Sequence, residues 1–352
     1  MEHLLGRWYF LIERKNRTLS IVGGDGMRQL MLIFLICCGY LQGYDPIDVV
    51  YTWTNTSDPE WVAKRKLHVL QSGRYAELFA GKGVLNEEKL KYSLRSIYAY
   101  APFVRSIFIV TDGQRPKWLK DHPQIKIISH QDIFGWQEHL PVFQSGSVEA
   151  NIHRIPGLSE RYVCCNDAMF LGKTVFPGDF FTSDGKIMVF ESPQYIPGLL
   201  MPDHDLRTRR AWNTCHELEQ VYGNGIKPRF LYRAPYAQRK SLVRDTERVF
   251  PELFEKSSAE RFRSRKGYEI TGCLIQYVGL YTGRAKASRA AFYEFPFTSV
   301  LETDSLHMRN IIKKKPKFFS LKQRVRTPSE EGELALSRFL DEIFPSQAPW
   351  EK

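Results

Sequence analysis

The chain has 352 residues, enough for one large domain or two modest ones. Hydrophobic residues are 43% and charged residues 25%, which excludes a disordered chain. The net charge of +11 suits anionic ligands, but the basic residues are scattered and neither a zinc-finger spacing nor an aromatic RNA-binding motif accompanies them, so no nucleic-acid partner is expected.

From Met27 the sequence reads "MRQLMLIFLICCGYLQG", a basic residue and then an apolar run. At about a dozen residues the run is short for a membrane span and fits a signal-peptide core. Either translation starts at Met27, or residues 30–41 form a short membrane anchor behind a basic tail holding Arg14, Lys15 and Arg17. A buried apolar helix is the purely structural alternative. Asn55-Thr56-Ser57 is a glycosylation sequon, in keeping with a luminal face. Residues 1–44 are therefore set aside as a leader. The six cysteines make no CxxC pair, so no structural zinc is expected, and Cys164-Cys165 read as small core residues.

Residues 46–53, 106–112, 125–130, 161–167 and 186–191 read as strands, being rich in β-branched and aromatic residues. Helices are expected at 86–102, where Leu90, Leu94 and Ile97 recur at helical spacing, and at 147–155. Strands alternating with helices imply an α/β, Rossmann-like, mostly parallel sheet over about 45–200. Beyond it a helical portion is expected over 201–352, with helices at 208–222, 241–255, 267–282 and 330–344. The basic stretch 311–326 shows no period.

Ligands of such sheets bind beyond the carboxyl ends of the strands. Strand 106–112 ends at Asp112, and strand 161–167 ends at Asn166-Asp167. Carboxylates there can hold a hard cation, Mg or Mn, which clamps a diphosphate. The alternative is that each Asp caps the next element. Glu149 and His153 stand four apart in a predicted helix, a carboxylate and an imidazole suited to general-base work on a sugar hydroxyl. A core histidine is the bland reading of His153. Arg95 and Arg154 are candidate phosphate contacts.

"IDVVYTWTNTSDPEW" resembles the first conserved region of the Stealth proteins. "LKYSLRSIYAYAPFVRSIFIVTDGQRPKWL" and "LPVFQSGSVEANIHRIPGLSERYVCCNDAMFLGKTVFPGDFF" resemble the second. The third region is recognisable in "AWNTCHELEQVYG" and onward, and the fourth in "FLDEIFPSQAPWEK". The resemblance implies transfer of a sugar-1-phosphate, typically N-acetylglucosamine-1-phosphate, from a UDP-sugar to a glycan or polysaccharide hydroxyl, with UMP released and Mg or Mn required. It implies regions one and two over 45–200 as the nucleotide-sugar core and regions three and four over 201–352.

On that reading Asp48 lies near the nucleotide, and Asp112 and Asp167 hold the metal. His153 is the base. Arg95, Arg154 and Arg263 contact phosphate, and Arg263 matches a family arginine. Asp304, or Glu302, serves as the acidic residue of the fourth region. The leader, the sequon and the likeness of the first region to that of animal members of the family imply a Golgi lumen. The chain departs from the family at Ala168, where a second carboxylate is usual, and at Arg233, where a histidine is usual. Two further readings therefore stand: a degenerate domain that binds without turnover, and a conventional glycosyltransferase that releases UDP.

Overall fold

The computed structural model describes residues 45–75, 85–325 and 327–352. The leader, with its anchor or signal peptide at 30–41, lies outside the described residues. Among the described residues no helix is long and apolar enough to cross a membrane. Asp45–Lys352 forms one compact unit.

The central sheet holds β1 (Ile47–Thr52), β2 (Val104–Thr111), β3 (Ile125–Ser129), β4 (Arg161–Asn166) and a later strand, β8 (Tyr236–Arg239), in the order β3-β2-β1-β4-β8. The first four are mutually parallel, and β8 runs antiparallel to β4. Strands buried on both faces need continuous apolar runs, and residues 49–51 of β1 and 107–110 of β2 supply them. Val50, Tyr51, Phe108 and Ile109 are fully buried. Burial of each such side chain contributes about 1.5–3 kcal/mol. The expected helix appears as Asn86–Tyr100, burying Leu90, Leu94 and Ile97, and it stops before Pro102.

Four expectations are corrected. The strand at 186–191 runs as β6 (Ile187–Tyr195) and lies outside the central sheet, between β7 (Arg229–Leu231) and β9 (Ala285–Ser288). The helix at 147–155 is a short helix, Ser145–Glu149, followed by a separate turn, Ile152–Arg154. Asn151 separates them: its side chain donates to the Ser147 carbonyl at 2.9 Å, taking the acceptor that the next helical N–H would use. The helix at 241–255 is two helices, Lys240–Val249 and Pro251–Ala259, because Pro251 has no N–H to continue the first and suits the opening of the second.

Finally, the C-terminal portion is not only helical. It supplies β7, β8, β9, β10 (Phe292–Phe297) and β11 (Phe318–Gln323). β11 falls within the aperiodic basic stretch. It pairs parallel with β10 and antiparallel with β5 (Met169–Leu171), the short strand that follows β4. Phe170, Phe295, Phe319 and Phe344 build a second apolar cluster over that small sheet.

Candidate active site

The parallel strands end together on one rim. Thr52 of β1 stands opposite Val110 of β2 and Asn166 of β4. Just beyond β4 the Asn166 side-chain oxygen accepts the Ala168 N–H at 3.0 Å, a side-chain-closed turn that reverses the chain into β5. The Ala168 carbonyl then accepts the Leu321 N–H at 2.9 Å, which brings Lys322 of β11 to the rim. On the other flank the antiparallel β4–β8 ladder closes at Cys164 and Tyr236. Continuing that register sets Arg233 level with Asp167.

Four cations gather here. Among the described residues Arg233, half-buried, makes no hydrogen bond or ion pair of its own. Arg207 donates to the Leu231 carbonyl at 2.8 Å and lies over the Phe230 ring at 4.9 Å. Arg263 donates to Ser145 Oγ at 3.2 Å, at the start of the short helix that ends in Glu149. Lys322 Nζ pairs with Glu294 at 3.4 Å. Burial, and then the positive charge of Arg207 with a smaller share from Arg263, holds Arg233 below the ordinary guanidinium value. Burial likewise lowers the Lys322 amine; Glu294 opposes this and Arg233 adds to it.

Facing the cations is Glu149. Burial, then the neighbouring Glu269, raises its carboxyl above the usual range, against the pull of Arg263 and Arg210. Arg210, itself buried, holds Glu269 at 2.9 Å and Glu260 at 2.6 Å. Tyr236 Oη and Glu269 Oε2 converge on Gly272, where a Cβ would lie 3.6 Å and 3.9 Å from them. Burial pushes the Tyr236 phenol up to about 12, so it stays protonated and can donate. A raised carboxyl beside guanidinium forks can accept a hydroxyl proton while the forks bind phosphoryl oxygens.

The expected metal centre at Asp112 and Asp167 does not fit the residues as placed. Asp112 is ion-paired with Lys64. Asp167 is paired at 3.3 Å with the buried Lys89. The two residues follow strands separated by β1, which sets those strands about 10 Å apart. A hard cation needs oxygens at about 2.0–2.6 Å. Ala168 offers only a methyl, packed against the second apolar cluster, and the Asn166 oxygen is engaged in its turn. Among the described residues no group of three or more His, Cys, Asp or Glu side chains is arranged to hold a metal ion.

The other predicted residues divide cleanly. Asn166, Asp167, Asp112, Glu149 and Arg263 lie at or beside the rim. Asp48 does not: it is the second residue of β1, at the opposite end of the sheet. Fully buried, it accepts from Arg105 at 2.9 and 2.6 Å and from the Ser159 N–H at 2.8 Å. Arg95 is buried against Glu351. His153 Nε2 lies 2.9 Å from Glu247, which also pairs with Arg154. Asp304 accepts the Thr298 N–H at 3.0 Å and closes the start of its own helix. These five are corrected from ligand contacts to internal partners.

Sequence reasoning missed Arg207, Lys322, Tyr236, Glu269 and Lys89, and it noted Arg233 only as a departure. It also missed His130, buried directly after β3, whose Nδ1 has no hydrogen-bond partner among the described residues and whose imidazole burial pushes down to about 4. Its position, just past a parallel strand, was the available signal.

Residues 45–67 match Stealth protein conserved region 1, and residues 84–189 match conserved region 2. An exopolysaccharide phosphotransferase of Streptomyces coelicolor is 39% identical over 252 residues, covering 70% of this chain and 42% of that protein. The exopolysaccharide phosphotransferase CpsY of Mycobacterium tuberculosis is 33% identical over 320 residues, covering 87% of this chain and 58% of that protein. The chain thus spans about half the length of the curated relatives it matches. A crystal structure of the galactosyltransferase LgtC with donor and acceptor sugar analogues aligns with a TM-score of 0.43 and 9% identity, over 86% of this chain and 96% of that one.

Proposed function

For this chain, which belongs to the Stealth family through conserved regions 1 and 2, we propose sugar-1-phosphate transfer from a nucleotide diphosphosugar to a glycan hydroxyl. The observation that carries this is the cluster Arg207, Arg233, Arg263 and Lys322 facing Glu149 at the carboxyl rim of the sheet. The names of the bacterial relatives support a polysaccharide as acceptor. The expected donor is a UDP-sugar, UDP-N-acetylglucosamine first.

In the reaction, the acceptor oxygen attacks the phosphorus next to the sugar. The bond between that phosphorus and the oxygen bridging the two phosphates breaks, and UMP leaves. Glu149 takes the acceptor's proton. The cations bind the phosphoryl oxygens and stabilise the charge that develops on the leaving phosphate. Arg210 positions Glu269, whose negative charge keeps Glu149 basic enough to act.

The test is product identity. The protein is incubated with UDP-N-acetylglucosamine, a mannoside acceptor, and Mg, Mn or EDTA, and UMP is separated from UDP. UMP that depends on acceptor supports the reading. UDP would place the chain with the conventional glycosyltransferases. Bound donor with neither product would leave a binding domain, the reading that Ala168 favours.

A further inference from the structure

We infer that the cluster Arg207, Arg233, Arg263 and Lys322 binds the donor's diphosphate directly, with no divalent cation bridging it. This deepens the proposed function and rests on it only for the identity of the diphosphate as part of a nucleotide sugar.

Three observations lead here. First, the two aspartates that follow β2 and β4 are already paired with lysines. Lys89 faces Asp167 at 3.3 Å, and Lys64 is paired with Asp112. A divalent ion at either one would compete with a lysine already there. Second, the turn 166–168 lacks a second carboxylate, because Ala168 carries a methyl, and the Asn166 oxygen already accepts the N–H that closes the turn. Third, Arg233 is half-buried beside two other guanidinium groups and, among the described residues, makes no hydrogen bond or ion pair, although the charge of Glu294 reaches it. A desolvated cation among like charges is unfavourable in the free protein. A bound diphosphate relieves that cost, and a guanidinium fork matches two phosphoryl oxygens at once. A divalent ion brought to the same place would add charge to a site already positive.

The residues that cradle the diphosphate come from four separate places: Arg207 opens the helix Leu206–Tyr222, Arg233 precedes β8, Arg263 follows the helix Pro251–Ala259, and Lys322 lies in β11. Arg233 therefore does not merely fill the position where the family usually carries a histidine. A guanidinium cannot take a proton as an imidazole can, so this position offers oxyanion binding, and Glu149 is left as the base.

The experiment titrates inorganic pyrophosphate into the full chain by calorimetry, in EDTA and again with excess Mg. Binding in EDTA at least as tight as with Mg is expected. Arg233→Ala should weaken it by at least about tenfold, the loss of one charge-assisted hydrogen bond. Lys322→Ala should weaken it several-fold, and it leaves Glu294 with Arg324 at 3.8 Å, so folding is preserved. Thermal melts of each variant check the folded state. Binding that appears only with Mg or Mn, or that is unchanged in both variants, overturns the inference. Failure of the transfer reading is distinguishable: pyrophosphate bound in EDTA without any UMP release removes the reaction and leaves the site. UMP release with no pyrophosphate binding in EDTA removes the site and leaves the reaction.

Discussion

Arg95 and Glu351 stand 256 residues apart in the chain and 2.7 Å apart in the structure. Both are buried, the guanidinium meets the carboxylate through two nitrogens, and a third nitrogen donates to the Phe344 carbonyl. The pair fastens the C-terminal turn, with the fully buried Trp350, onto the helix Asn86–Tyr100. Removing one partner strands the other in a dry site. Arg95→Ala and Glu351→Ala should each lower unfolding free energy by about 3–5 kcal/mol. Arg95→Met with Glu351→Leu should recover much of that. Denaturant titration measures both, and pyrophosphate affinity of folded Arg95→Ala should match the parent.

His153→Ala tests a structural role against a catalytic one. The buried imidazole bonds Glu247, and its loss should cost about 1–3 kcal/mol. UMP release per folded molecule should not change. Burial holds the His153 pKa below its ordinary value, with Glu247 opposing. The unfolded state therefore binds more protons, so this contribution is present above the ordinary histidine pKa and is lost as pH falls towards the folded value. His130, pushed down to about 4, acts in the same direction. The variant's acid unfolding profile should be flatter than the parent's.

Glu149→Gln should abolish most turnover while making the protein more stable. The carboxyl is raised in the folded state, so the folded protein holds its proton to higher pH than the unfolded chain does. Stability is thus lost as pH rises from the ordinary carboxylate value through the raised one. A neutral amide has no such loss. Thermal melts at acid and neutral pH should show the variant's advantage growing towards neutral pH. The acid limb of the parent's rate profile should report the same group.

Ala168→Asp should lower stability by about 1–3 kcal/mol, because the new carboxylate replaces a methyl packed against the second apolar cluster. It should bring no Mn affinity in calorimetry. A clear gain of Mn binding would mean that the turn can reopen into a metal site.

The sequence located the rim better than it located the actors. Asp112 and Asn166-Asp167 could be placed at strand ends because the later parts of β2 and β4 are apolar runs, and a run of that kind ends where its polar residue begins. Roles failed where charge was read without its partner. Arg95, Arg154, His153, Asp48 and Asp304 all looked like ligand contacts, yet each is already engaged by Glu351, Glu247, Arg105 or Thr298. A buried charge is stable when paired, and pairing across such distances leaves no local pattern.

What the sequence by itself determined is the parallel core, its order of strands and helices, and the family. Those follow from periodicity and short motifs, which are local. The tertiary structure decided which charges remain free. β8 runs antiparallel beside β4 and brings Arg233 to the rim, and β11 pairs with β5 and brings Lys322 there. Neither pairing is written in the spacing of either strand, because strand partners are chosen by the packing of the whole sheet. The cationic cluster exists only once that packing is complete.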